Sequence, residues 1–189
     1  AYDGTPLTKN EVTATGDGFA KDEGATYSVT GSQTLVGSSD NEFTYKLKDN
    51  TKAENYTITT RNGVLTITPN TNEVVVTITG NHGSKAYTGA EQSIKGFTTD
   101  IQDKTINVQL NTQDKDVAKG TDAGTYYMGL TKEDFTVTSQ NYNNISVVVV
   151  DGYIEITPIE EEVTVTITGN HGSKAYTGAE QSIKGFTTD

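Results

Sequence analysis

Residues 76–100 read VTITGNHGSKAYTGAEQSIKGFTTD, and residues 165–189 repeat them letter for letter. The two copies start 89 residues apart, at Val76 and Val165, and the second closes the chain. Self-similarity at a fixed period is the signature of a repeat array, in which each period is one structural unit. A period of this length fits one small β domain. The chain is therefore expected to be a piece of a tandem array, with one cut falling inside a unit.

The start of the duplicated stretch alternates. Val74, Val76 and Ile78 point one way, and Val75, Thr77 and Thr79 the other, as a strand with a side-chain period of two requires. In the second copy Val163, Val165 and Ile167 keep the apolar set, while Thr164 stands where Val75 stood. A Val-to-Thr exchange in a core would bury a hydroxyl, so the change marks the outward face. Residues 80–84, GNHGS, are predicted to form a turn. The frame Ala86-Tyr87-Thr88-Gly89 follows and recurs as Ala175-Tyr176-Thr177-Gly178 and, at the chain start, as Ala1-Tyr2-Asp3-Gly4. Its glycine predicts a backbone position with φ > 0, and its tyrosine a core anchor.

Outward from there, residues 26–30 and 42–47 read as strands in the first unit. Residues 56–68 run YTITT-RNG-VLTIT, and Asn62-Gly63 between two alternating runs predicts a hairpin closed by a type I′ turn. Tyr56, Ile58, Leu65 and Ile67 then share one face, and Pro69 ends the unit. In the second unit, strands are predicted within residues 92–97, 105–110, 125–130, 134–138 and 141–157, with Asp151-Gly152 in the place of Asn62-Gly63. Counted back from Pro69 and Pro158, Leu65 and Ile67 correspond to Ile154 and Ile156.

Composition agrees with strands and narrows function. Hydrophobic residues make up 32% and charged residues 21%, with ten Tyr and no Trp. The abundant Thr, Tyr and Val suit a pleated, half-buried surface. A formal net charge of −11 argues against nucleic acid, whose phosphates need clustered Lys and Arg. The absence of Cys removes disulfides and thiolate metal sites. No run approaches the roughly 18 apolar residues of a membrane span.

Three features together resemble a known family. They are the AY-[DT]-G frame, the pair Gly124-Thr125-Tyr126-Tyr127 and Phe135-Thr136-Val137-Thr138, and the unit ending. The ending is Asn55-Tyr56, Asn62-Gly63, Ile67-Thr68-Pro69 in the first unit and Asn141-Tyr142, Asp151-Gly152, Ile156-Thr157-Pro158 in the second. The chain resembles the MBG and YDG-type repeats of large bacterial surface proteins. That resemblance implies an all-β chain of tandem immunoglobulin-like β-sandwich repeats, about seven strands each. It implies an extracellular place on the bacterial cell surface or in secreted adhesins, and it brings no catalytic residues. The expected function is a non-enzymatic structural spacer or stalk; the alternative is a module that binds carbohydrate or a host protein.

Direct inspection for chemistry adds little. His82 and His171, the only histidines, occupy one repeat position flanked by glycine, with no companions for catalysis or metal. No triad motif is present. Asp114, Asp116, Asp122 and Glu160-Glu161-Glu162 offer oxygen ligands of the kind calcium takes, without EF-hand spacing; such charge blocks also simply solvate and repel. No cofactor or metal is expected. Lys85, Lys95, Gln92 and Asn141 are of the types that form covalent staples, but no pattern selects a pair. Tyr126, Tyr127 and Tyr142 suit either sugar stacking or cross-strand packing.

The expected organisation is a first repeat over 1–69 lacking its first strand, a linker at 70–72, a complete repeat over 73–158, a linker at 159–162, and the N-terminal fragment of a third over 163–189. An incomplete sandwich exposes an edge. Val163, Val165 and Ile167 are therefore candidate residues for intermolecular strand exchange with the first repeat of another chain. The expected partners are neighbouring repeats of the same array and a second copy.

Overall fold

A computed structural model describes all residues, 1–189, as an all-β chain with no α-helix. The first part holds four strands: β1 (Ala25–Val29), β2 (Gly37–Asn41), β3 (Phe43–Leu47) and β4 (Gly63–Ile67). The second holds ten: β5 (Val74–Gly80), β6 (His82–Ala86), β7 (Gln92–Lys95), β8 (Phe97–Thr99), β9 (Asn107–Leu110), β10 (Val117–Gly120), β11 (Gly124–Tyr127), β12 (Phe135–Thr138), β13 (Ile145–Val150) and β14 (Tyr153–Thr157). The tail adds β15 (Ile167–Gly169) and β16 (Phe186–Thr188). Four and ten strands stand against the expected number of about seven per repeat, with the first repeat short of its first strand. The second part divides its sheets into short ribbons, and the first leaves residues 56–61 unpaired.

The alternation of β5 is obeyed. Val76 and Ile78 are 1% and 0% exposed while Val75 is 51% exposed. Their inward side joins Ile154 and Ile156 of β14 with Ile106, Ala118, Met128, Leu130 and Phe135 in one core. Burying each large aliphatic side chain there contributes about 1.5–3 kcal/mol. Two three-stranded sheets enclose this core, ordered β13-β5-β8 and β11-β14-β6. The β9–β12 ribbon lies along β13, and the β7–β10 ribbon along β11 and β14, giving a sandwich-like arrangement.

Both sheets contain a parallel pair. β5 runs parallel to β13, with Val76 opposite Val147 and Ile78 opposite Val149. β6 runs parallel to β14, with His82 opposite Tyr153. The second part therefore uses its first two strands to close against its last two. Residues 80–84 are not the predicted turn, because His82–Ala86 is strand β6. The chain passes from one sheet to the other at Asn81, whose N–H donates to the Gly96 carbonyl and whose side chain donates to the Lys95 carbonyl. Gly and Ser at 80–84 had suggested a turn, yet Gly83 and Ser84 lie within β6, and Gly80 ends β5 against the backbone of Gly152.

The predicted hairpins do not form either. β4 pairs with β2, Gly37 opposite Ile67, and β14 pairs with β11 and β6. β13, which precedes Asp151-Gly152, belongs to the other sheet. Neither Gly63 nor Gly152 has a positive φ, so the type I′ turn is absent at both sites. Gly152 is required for a different reason. A Cβ there would lie 2.6 Å from the Asn81 carbonyl oxygen and 2.6 Å from Met128 Sδ. The backbones of Gly80 and Gly152 meet where the two sheets cross, and only glycine allows that approach. The AY-[DT]-G glycines behave as predicted, with φ of 80°, 76° and 72° at Gly4, Gly89 and Gly178.

Candidate interaction surfaces

A groove crosses the first part of the chain. Residues 11–19 form one wall and residues 55–61 the other. Its floor carries Ala25 and Tyr27 of β1 with Phe43 and Tyr45 of β3, and the half of the groove above them encloses about 650 Å³. Neither wall is satisfied. Residues 10–19 and 57–60 make no hydrogen bond from backbone to backbone. Two facing rows of free N–H and C=O groups above an aromatic floor form a site for an extended chain, which would complete both rows at once.

The second part shows what such a groove holds. Counting back from the two prolines, residues 56–61 correspond to β13. Counting from the AY-[DT]-G frames, residues 12–14 correspond to β8. The isolated pairing of Leu7 with Gln33 sits where Gln92 pairs with Gly120, so the correspondence holds in space. Between β13 and β8 lies β5. The groove is the β5 position, empty in the first part. Its consequences are visible in burial. Phe135 of β12 is 7% exposed under β5, while Phe43, its counterpart, is only half-buried. Tyr27, Tyr45 and Ile58 are 40%, 40% and 37% exposed.

The tail carries the matching strand. Val163, Val165 and Ile167 are 70%, 59% and 66% exposed, and every residue from 158 to 189 is exposed. β15 pairs only with β16, Ile167 opposite Thr188, repeating the β5–β8 register in which Ile78 faces Thr99. Local pairing survives in the tail without any core to support it.

A second surface lies on the outer face of the β11-β14-β6 sheet. Tyr127, Tyr153 and His82 are direct cross-strand partners. The His82 and Tyr153 rings stack at 5.4 Å and 20°, and Tyr127 leans on Tyr153 at 5.8 Å. His82 is thus exposed but not idle, the end of an aromatic row three strands wide. Of its members only Tyr127 was a stacking candidate by sequence, because the three lie far apart in the chain. Tyr126 turns the other way: it is half-buried, and its hydroxyl donates to the Asp122 carbonyl.

The two parts meet at a polar joint. The Tyr2 and Tyr142 hydroxyls each donate to Asp103 Oδ2 at 2.9 Å, and their rings pack edge to face. Asn70 donates its N–H to the Asn141 carbonyl and accepts from the Asn143 N–H. Asn70 Nδ2 donates to the Tyr2 carbonyl, and Asn141 Oδ1 accepts from the Val36 N–H. Burial pulls the Asp103 carboxyl upward, but the Thr105 N–H and the two tyrosines outweigh it and leave its pKa below the ordinary value. Burial, and then the adjacent carboxylate, push Tyr142 up to about 12 and raise Tyr2 as well.

The remaining candidates are dispersed. Asp114 pairs with Lys95 on the exposed surface, Asp116 is buried, and Glu160–Glu162 are exposed. No three His, Asp or Glu side chains come together as a metal site. Lys85 donates to the Ser93 carbonyl and Gln92 to the Ala86 carbonyl, so neither faces Asn141. Comparison with protein-family models, characterised proteins and solved structures returns no match.

Proposed function

We propose that the chain is a spacer or stalk module of a tandem-repeat bacterial cell-surface or secreted adhesin, without enzymatic activity. Its units are read as immunoglobulin-like modules of the MBG and YDG type, on the motifs quoted above. The observation that carries the reading is the joint around Asp103. Adjacent modules connected by a short segment are free to swing unless side chains fix them. Here one carboxylate receives a tyrosine from each side, and Asn70 adds two main-chain bonds. A fixed joint is what a stalk needs to transmit length. Small-angle X-ray scattering tests this. The chain is expected to scatter as two bodies at one separation, and Asp103→Ala to broaden that distribution. A parent chain as broad as the variant would overturn the reading.

The aromatic row favours a second reading, a carbohydrate-binding module. Flat rings side by side on an open sheet suit the apolar face of a sugar. A glycan array read with the chain and with Tyr153→Ala separates the two. Binding lost in the variant supports the sugar site, and no binding by the parent chain removes it.

A further inference from the structure

We propose that the aromatic row of the β11-β14-β6 sheet and the polar row beside it select a cationic amino sugar, a hexosamine whose nitrogen is a free ammonium. The inference rests on the sugar reading of the aromatic row and gives it a ligand class. β14 turns Tyr153, Glu155 and Thr157 to the outer face, because Ile154 and Ile156 between them enter the core. One step along from the aromatic row, Glu155 lies opposite Thr125 of β11 and Ser84 of β6. A carboxylate between two hydroxyls thus runs beside a tyrosine between a tyrosine and a histidine. Residues two apart on a strand are separated by about 6.6 Å. A single sugar ring lying on Tyr153 therefore brings a ring substituent within reach of Glu155.

The carboxylate has no cation of its own. Glu155, Ser84 and Thr125 are all exposed. The lysines that form ion pairs do so with Glu11, Asp114, Asp134, Glu91 and Glu133. Lys85, next to Ser84 on β6, turns away and donates to the Ser93 carbonyl. Glu155 therefore faces solvent uncompensated, in a chain whose formal net charge is −11. Charge complementarity favours an occupant with a positive group there. The rings favour the same group, since an ammonium beside tyrosine is attracted by the ring quadrupole. Stacking on the row and hydroxyl contacts with Ser84 and Thr125 hold the sugar part.

The fold itself does not demand these residues. Counted back from the two prolines, Tyr153 and Glu155 correspond to Val64 and Thr66 of β4. There Val64 faces Asp40 and Thr66 faces Ser38, and the Ser38 and Thr66 hydroxyls bond each other at 2.8 Å. The same pair of strands is thus built in the first part without an aromatic ring, and its hydroxyls satisfy one another. Cross-strand packing alone does not call for Tyr127, Tyr153 and Glu155 in the second part, and a ligand accounts for them.

Nuclear magnetic resonance titration of the full chain, slightly below neutral pH, tests the proposal. The probes are β-linked oligosaccharides of equal length built from glucosamine, N-acetylglucosamine and glucose. The glucosamine oligomer is expected to bind about tenfold more tightly than the other two, the combined effect of an exposed ion pair and a cation–π contact. The preference should shrink as salt is raised. Glu155→Gln should erase it, whereas Glu133→Gln, which changes the net charge equally, should keep it. Both side chains are exposed, so the melting of both variants should match that of the parent. Equal binding of the three oligomers, or a preference that survives Glu155→Gln, overturns the proposal and leaves the sugar reading in place. Trilysine binding as tightly as the glucosamine oligomer overturns it too, since charge alone would then suffice. Binding of none of the three oligomers removes the sugar reading together with the proposal. The spacer reading stands apart from these outcomes, since it depends on the Asp103 joint.

Discussion

The first and second parts of this chain share a plan and differ in one strand. The second part has nine buried hydrophobic residues in a single core. In the first part only Tyr2, Leu65 and Ile67 of the hydrophobic residues are buried. The sequences that face the missing strand are not especially polar: Tyr27, Phe43, Tyr45, Tyr56 and Ile58 are all there. What they lack is a cover. Residues 145–150 become β13 because β5 lies beside them, and residues 56–61 stay unpaired because nothing does. Strand formation here is a property of the pair, and long-range pairing decides whether local propensity is realised.

The tail sharpens the comparison, since it holds the same letters as β5 without their surroundings. Ile78 and Ile167 occupy identical sequence contexts and have exposures of 0% and 66%. Ile78→Ala is expected to cost about 2–5 kcal/mol, as for a fully buried aliphatic side chain. Ile167→Ala should stay within about 0.5 kcal/mol at concentrations where the chain is monomeric. Chemical denaturation of both variants measures the difference, and equal effects would break the comparison.

A smaller contrast is expected at the paired glycines. In Gly152→Ala the new Cβ meets the Asn81 carbonyl and Met128 at 2.6 Å, an overpacking that costs about 1–3 kcal/mol. In Gly63→Ala the nearest atom is Asn41 Cβ at 3.6 Å, and the change should be near neutral, within about 0.5 kcal/mol. Thermal melts of the two variants give the order.

The joint between the parts should respond to pH at both ends. Asp103 has a lowered pKa, so its contribution is complete above the unfolded value of about 3.9 and fades as pH falls through the lower folded one. Tyr142 is raised to about 12. Its contribution is complete below the ordinary tyrosine value of about 10 and is lost as pH rises toward the folded one. The joint is therefore firmest between about pH 4 and 10. Ultraviolet absorbance titration checks this: Asp103→Asn should bring the Tyr142 ionisation back toward the ordinary range. A titration unchanged by that variant would uncouple the two groups.

Much of the fold was legible in the sequence, and particular residues explain where legibility stopped. The faces of β5 were readable because one substitution, Val75 to Thr164, touched only the outward side. Glycines of the AY-[DT]-G frame were readable because a positive φ is a local demand. β2, with the sequence GSSDN, carries no apolar residue and left no periodic trace. Asn62-Gly63 and Asp151-Gly152 misled because the pair satisfies a hairpin turn equally well. At Gly152 the use is set by Asn81 and Met128, which lie elsewhere in the chain. The groove was legible as a missing strand, from alignment alone. Its second wall, residues 11–19, was not, since nothing local marks those residues as strand neighbours. The aromatic row became visible only when three separate strands were placed side by side.

The parallel pairing of β6 with β14 has a mechanical meaning. Tension drawn from the N-terminal side of β5 and the C-terminal side of β14 pulls these two neighbours along their length in opposite directions. Their hydrogen bonds, Tyr153 to Thr157 against His82 to Ala86, are then loaded together in shear and cannot open one after another like a zipper. Resistance to pulling under such loading is set by the rate of a concerted rupture. The strand that closes the second part is also the clasp that a stretching force must break.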